Sequence, residues 1–306
     1  MTHRESRAAG FGHITTMRQD RVFYAVVNAI LFLFALLVLA PILNVFANSF
    51  SSSEAVAAGR VTFWPVDFSL DGYRAVFQDK YILSGYKNTI LYTALGTAIN
   101  LFMTVLCAYP LSRGDLVGRN FLMFIFSFTM IFSGGMIPSY LLVRNLNMID
   151  KIWAMVLPGA ISVYNMIICR TFFQTTIARE LHEAAQLDGC SDFRFLLSIV
   201  LPLSRAVIAV IGLYYAVGHW NSFFNAFLYL NKRDLYPLQI VLRDILVANT
   251  VDPALVYDTN AATLDLYLVE VLKYALIIVS CLPIWCLYPL VQKHFVQGAM
   301  IGAIKG

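Results

Sequence analysis

Six long apolar stretches dominate this sequence, at 22–48, 89–112, 121–143, 152–169, 203–230 and 266–291. A membrane-spanning helix needs about 20 mostly apolar residues. The runs are continuous and do not alternate with period two, which argues against a β-barrel. Backbone in lipid must satisfy its own hydrogen bonds, so continuous runs of this length become helices. The expected fold is therefore all-α, a polytopic membrane protein with six transmembrane helices. Composition agrees, with 13% charged and 59% hydrophobic residues, against about 25% and about 45–50% in a soluble domain. That balance excludes a soluble enzyme, a disordered chain and a disulfide scaffold. The first run is about twice the 7–15 residues of a signal-peptide core and reads as an uncleaved anchor.

Six crossings put both termini on one side, and Lys and Arg decide which. The terminal side carries twelve basic and seven acidic residues, the opposite side nine and ten. Residues 1–21 alone hold four Arg, no Lys and two acids. The expected order is a cytoplasmic segment 1–21, a first helix 22–48 and an extracytoplasmic segment 49–88. A five-helix core, 89–292, follows, with a cytoplasmic loop 170–202 and an extracytoplasmic loop 231–265, then a cytoplasmic tail 293–306. The segments 49–88, 144–151 and 231–265 contain no cysteine, which excludes a disulfide framework. The net charge of +4 shows no clustered basic face, so nucleic acid is not an expected partner.

The loop 170–202 carries the most specific pattern. Residues 178–188 have helical character, with Arg179, Glu183 and Gln186 on one face and Leu181, Ala184 and Ala185 on another. Gly189 stops that helix. Ser191 is placed to N-cap a second helix running to Val200, and Pro202 opens the fifth span where its missing N–H does no harm. Two readings stand: an amphipathic helix on the inner leaflet, or a knob with a small-residue face that docks a cytoplasmic protein.

Glu183-Ala184-Ala185, then Gly189, Ile199, Leu201 and Pro202 give EAA-x3-G-x9-I-x-LP. This resembles the EAA signature of bacterial ABC importer permeases, with every fixed position matched. GGMIPSYLLVRNLNMID at 134–150, YYAVGHWNSFFNAFLYL at 214–230 and GAMIGAIKG at 298–306 look like the same family. The resemblance runs from about residue 85 to the end. It is nearest to the carbohydrate-uptake branch, to the smaller permease of maltose-type systems, and within that to the group handling oligosaccharides released from polysaccharides.

The resemblance implies the type I ABC importer permease fold in the bacterial cytoplasmic (inner) membrane. It implies a heterodimer with a second permease, two ATP-binding subunits that hold ATP and Mg, an extracytoplasmic solute-binding protein, and a sugar substrate. Glu183, Ala184, Ala185 and Gly189 are then the ATPase-coupling positions, and the chain is not an enzyme. The absence of a GxxxxGK[ST] motif agrees with a separate ATPase.

A sugar pathway calls for aromatic faces with amides and hydroxyls. On one continuous helix Trp220 and Phe224 share a stripe, and Asn221, Asn225 and Tyr214 share its neighbour. Asn165 in the fourth run is a lesser candidate. The competing reading is helix–helix hydrogen bonding with an aromatic belt. Glu270 and Lys273, at i, i+3 in the sixth run, read either as a neutralising pair or as a contact to an acidic sugar or the second permease. Gly134, Gly135 and Pro138 mark a kink or close packing in the third run. The five His form no HExxH and pair with no carboxylate at ligand spacing. An ion-driven carrier would need buried acids and inverted repeats. Only Glu270 qualifies, and no repeat is visible.

Overall fold

The computed structural model describes residues 18–248 and 260–303, and among these every regular element is a helix. In chain order they are α1 (Arg18–Ser49), α2 (Ser53–Ala57), α3 (Asp71–Gln78), α4 (Lys80–Ser112), α5 (Arg119–Ile131), α6 (Met136–Asn145), α7 (Trp153–Val156) and α8 (Val163–Thr176). There follow α9 (Arg179–Leu187), α10 (Asp192–Phe195), α11 (Leu201–Leu203), α12 (Arg205–Trp220), α13 (Phe224–Tyr229), α14 (Leu238–Ala248) and α15 (Asn260–Ala303). A π turn covers Leu196–Val200 and a 3-10 turn Arg233–Leu235. Most of the expected N-terminal segment (1–17), part of the outer loop (249–259) and the end of the tail (304–306) lie outside the described residues.

Three helices are each long and apolar enough to cross a bilayer: Val22–Ser49, Lys80–Ser112 and Leu268–Pro289. The other apolar runs are broken, which corrects the expectation of six continuous helices. The third run bends by 111° between α5 and α6. The bend sits at Gly134-Gly135, where Gly135 takes φ +86°, a conformation that other residues resist. The fourth run divides into α7 and α8 around Pro158 and Gly159, the latter at φ +76°. The fifth divides into α12 and α13 at 221–223. Its entry is also bent, by 83° between Asp192–Leu203 and Arg205–Trp220. Pro202 offers no N–H to the preceding turn, and the π turn and the bend flank it.

α4 organises the rest. It begins nine residues before the apolar run because Asp79 caps it, accepting from the backbone N–H of Tyr81 at 2.7 Å and Ile82 at 3.0 Å. Its buried residues Ile82, Gly85, Thr89, Tyr92, Gly96, Asn100, Thr104, Ala108 and Leu111 repeat every three or four positions. They form one stripe along the whole helix. The stripe is partly polar, and its polar members meet irregular backbone. Tyr92 Oη donates to Leu235 O at 2.9 Å, and Thr89 Oγ1 accepts from Leu238 N at 2.8 Å. Asn88, beside the stripe, donates to Asp234 O and Tyr236 O. Further in, Asn100 donates to Gly159 O at 3.5 Å, and Thr104 shares a 2.7 Å bond with Tyr215 Oη, which accepts from Ser162 N. The glycines admit neighbours: Gly85 lies under Leu238 and Gly96 under the His219 ring.

Three apolar clusters lie around this helix. One, with Ala108, Met166, Phe173, Phe195, Val200 and Ile211, joins the C-terminal end of α4, α8 and the first half of α12 to α10. A second, with Val76, Ile82, Trp220, Leu238 and Leu276, joins α3, α4, α12, α14 and α15. A third gathers Tyr92, Met155, Val156 and Ala226. α5 buries none of its residues and α1 buries none over residues 22–46, so both leave apolar faces for lipid or another subunit.

A methyl group at residue 96 would overlap the His219 ring. Overpacking of this kind costs about 1–3 kcal/mol. Gly96→Ala is expected to lower the thermal unfolding temperature of the purified protein. The loss should shrink in the His219→Ala background, where the ring is gone; equal losses in both backgrounds would show that the contact does not matter.

Candidate functional site

The loop 170–202 folds as the expected elbow. α9 ends in a Schellman turn: Cys190 N–H donates to Ala185 O at 2.9 Å and Gly189 N–H to Gln186 O at 3.0 Å. Gly189 sits at φ +74°, which the turn requires. Ser191, in extended backbone, accepts from Arg194 N through its hydroxyl and starts α10. Glu183 and Ala184 are exposed, and Glu183 pairs with Arg179 one turn earlier at 3.0 Å. Ala185 turns the other way. It is 9% exposed and packs in the first cluster near Phe195, so it does not share an open face with Ala184 as expected. The open stripe of α9 is Leu181, Ala184 and Leu187, the last 90% exposed.

What fixes the elbow to the bundle is a polar knot that the sequence reading missed. Arg113, just past α4, pairs with Asp115 and Asp192 and also reaches Tyr109 Oη and His182 Nε2. His182 Nε2 is 3.0 Å from Asp192 Oδ1, and its ring stands edge-on to Phe195 at 4.9 Å. The knot therefore joins α4, α9 and α10. The Arg113 side chain is only 17% exposed. The hydrogen bond to Asp115 is the main force raising the Arg113 pKa, and the same bond pushes the Asp115 carboxyl down to about 2. Asp192 is also held below the usual carboxylate range, first by His182 and then by Arg113. Two further bonds close the C-terminal end of α4, whose last carbonyls lack helical partners. Arg170 donates to Leu111 O at 2.8 Å and Gln174 to Ser112 O at 3.3 Å. Between these elements lies a cavity of about 640 Å³, lined among others by Tyr109, Arg113, Phe173, His182 and Glu183.

The expected pathway residues do not form the two stripes, because the helix stops between them. Asn221 Nδ2 folds back onto Val217 O at 3.0 Å, the local competition that makes Asn a poor interior helix residue. Its Oδ1 accepts from Gln239 of α14 at 3.4 Å. Trp220 points into the chain: it is 4% exposed, packs in the second cluster and donates from Nε1 to Ser280 O at 3.0 Å. Asn165 is also buried. Tyr214 and Phe224 are exposed and Asn225 is half-buried. Glu270 and Lys273 form a pair at 2.8 Å, the arrangement of the neutralising reading.

The chain is 40% identical over 288 residues to the polygalacturonan/rhamnogalacturonan transport system permease protein YtcP of Bacillus subtilis (strain 168), covering 94% of this chain and 100% of that protein. Protein LplC of the same organism is 42% identical over 268 residues, covering 87% and 89%. The arabinooligosaccharides transport system permease protein AraQ of Halalkalibacterium halodurans is 24% identical over 271 residues, covering 87% and 91%. Among solved structures, a chain from a bacterial ABC transporter involved in the import of the acidic polysaccharide alginate matches with a TM-score of 0.83 and 36% identity, covering 91% of this chain and 98% of that one. No protein-family model matches.

The knot sets a test of its own. Asp192 is 60% exposed, so the pair is worth no more than about 1 kcal/mol, roughly fivefold in an opening equilibrium. Arg113→Ala should raise amide hydrogen exchange across 179–195 by about that factor and leave α12 unchanged. Depressed carboxylates stabilise above their ordinary range and lose that contribution only as pH falls through the lowered value. Protection of 179–195 should therefore persist at mildly acidic pH. Unchanged exchange in Arg113→Ala would mean that the apolar cluster alone holds the elbow.

Proposed function

This chain belongs to the permease subunits of ABC sugar importers, and on that premise we propose that it forms half of the membrane pathway of an ATP-driven, binding-protein-dependent oligosaccharide importer. A second permease completes the pathway and covers apolar surface that this chain leaves open. Two ATP-binding subunits lie on the cytoplasmic side and hold ATP and Mg, and an extracytoplasmic binding protein delivers the sugar. The observation that carries this reading is the elbow itself. An exposed Leu181–Ala184–Leu187 stripe is presented on a helix fastened to α4 by Arg113. Such an element can be pushed from the cytoplasm and pass the displacement to a spanning helix. Glu183 and Ala184 meet the ATPase, while Ala185 and Gly189 set the shape of the knob.

In this reading the chain crosses the membrane six times, by α1, α4, α5–α6, α7–α8, α12–α13 and α15, with both termini cytoplasmic. The breaks serve the pathway, since non-helical backbone at membrane depth is tolerated where protein or a cavity surrounds it. The relatives named for polygalacturonan/rhamnogalacturonan and for alginate favour oligosaccharides of acidic polysaccharides as the cargo.

Ala184→Leu overfills the docking face, and overpacking costs about 1–3 kcal/mol, as large as a typical coupling energy between sites. It should abolish sugar-stimulated ATPase activity and uptake by the reconstituted complex while the thermal stability of this subunit holds. Ala185→Leu should instead destabilise the elbow, and Glu183→Ala and Gly189→Leu should lose stimulation. Normal uptake by both Glu183→Ala and Ala184→Leu would remove the coupling assignment. Orientation is tested separately, in a background without native cysteines. Arg60→Cys should react with an impermeant thiol reagent in intact cells and Thr175→Cys should not; the opposite pattern inverts the topology.

A further inference from the structure

One cation on α14 keeps an open face beside the break in the fifth run. Arg243 lies on α14 among Ile240, Val241, Leu242, Ile245 and Leu246. Its guanidinium carbon lies 5.0 Å from the Phe227 ring centroid and 5.7 Å from that of Phe223. Those two rings stack at 5.9 Å with 21° between planes. The Arg243 guanidinium donates to the neighbouring Asp244 Oδ1 at 3.4 Å. That bond uses one of the five guanidinium N–H donors. The side chain is 41% exposed and Phe227 is 55% exposed, so the group is open. One turn back on α14, Gln239 meets Asn221 at the break in the fifth run. The break thus gathers a guanidinium, one exposed and one half-buried aromatic ring, and two amides.

We propose that Arg243, Phe227 and the Asn221–Gln239 pair form a site for one uronic acid residue of the transported oligosaccharide. The proposal rests on the reading that this chain carries acidic sugars. A uronate offers complementary groups: a carboxylate for the planar guanidinium fork, a C–H face for an aromatic ring, and hydroxyls for the amides. Lodged beside Phe223 and Phe227, the guanidinium is held in place before the ligand arrives, and cation–π contacts with both rings are the restraint. Asp244, which accepts one hydrogen bond from Arg243 at 3.4 Å, also lines a neighbouring cavity with Asp79, Tyr81 and Arg233.

The test is equilibrium binding of trigalacturonate to the purified permease–ATPase complex without its binding protein. A charge-assisted hydrogen bond is worth enough that Arg243→Gln should weaken binding about tenfold or more. Arg243→Lys, which keeps the charge and loses the fork, should recover most of it. The trimethyl ester, with the same size and no charge, should compete poorly. No binding by the wild-type complex, equal binding by wild type and Arg243→Gln, or equal competition by the ester overturns the site. Uptake of trigalacturonate by the wild-type complex with its binding protein is read in parallel. Failure of that uptake removes the acidic-sugar reading itself, whereas uptake with unaltered Arg243→Gln binding removes the Arg243 site alone.

Discussion

Backbone that leaves a helix inside a membrane must find hydrogen-bond partners in protein, because lipid supplies none. This chain breaks its apolar helices at 132–135, 157–162 and 221–223, and the connection 230–237 beside them is irregular too; that requirement shapes what surrounds these segments. Much of the answer comes from α4. Asn88, Thr89 and Tyr92 serve the segment 234–238, and Asn100 and Thr104, the latter through Tyr215, serve the segment 159–162. An all-apolar α4 would span the bilayer equally well but would leave these groups unpaired, at about 1–3 kcal/mol or more each. The polar residues in the most central helix are thus what permits the other helices to be irregular.

The sequence made some of this legible, for identifiable reasons. The elbow was readable because its signals are local: Gly189 after a helical segment, Ser191 before the next, Pro202 at the following turn. The start of α4 was missed because hydropathy marks where apolar residues begin, whereas Asp79 marks where the helix begins. Pro158-Gly159 and Asn221-Ser222 are breakers inside apolar runs whose length alone reads as a continuous helix. In lipid a break is tolerable when its partners exist, and those partners sit far away in sequence. The same distance hid the Arg113–Asp192 pair, whose members are 79 residues apart. The inward turn of Ala185 was hidden for a related reason: on a nine-residue helix with small residues on several faces, tertiary contacts rather than periodicity choose the buried side.

The grouping of the expected pathway residues into two stripes is broken by the helix end at Trp220. Trp220, Asn221, Phe224 and Asn225 were grouped by helical geometry, and the helix ends among them. Trp220 became packing because its indole N–H found Ser280 O, the partner that a buried Trp requires. Asn221 became both a terminator and a bridge to α14. The break carried a different set to the open face, including Gln239 and Arg243 from an element the apolar pattern had assigned wholly to an extracytoplasmic loop. Aromatic and amide residues were the right chemistry to look for, but continuous helical register was the wrong rule for grouping them.

The elbow has two connections to the bundle, and they differ in stiffness. One is covalent, through the π turn Leu196–Val200, Pro202 and Ser204 into α12, with an 83° bend on the way. Bends at π turns and prolines are places where register changes at low cost. The other is non-covalent, through Arg113 and the Phe195 cluster onto α4. α4 is 33 residues long, about 50 Å at 1.5 Å per residue, and its buried stripe runs from that anchor to the backbone that opens α14. A displacement of the elbow is absorbed in the first connection and carried in the second. If the chain couples to an ATPase as proposed, the stiff route predicts that the outer segment 234–248 senses the elbow through α4 rather than through the helix that follows the elbow in sequence.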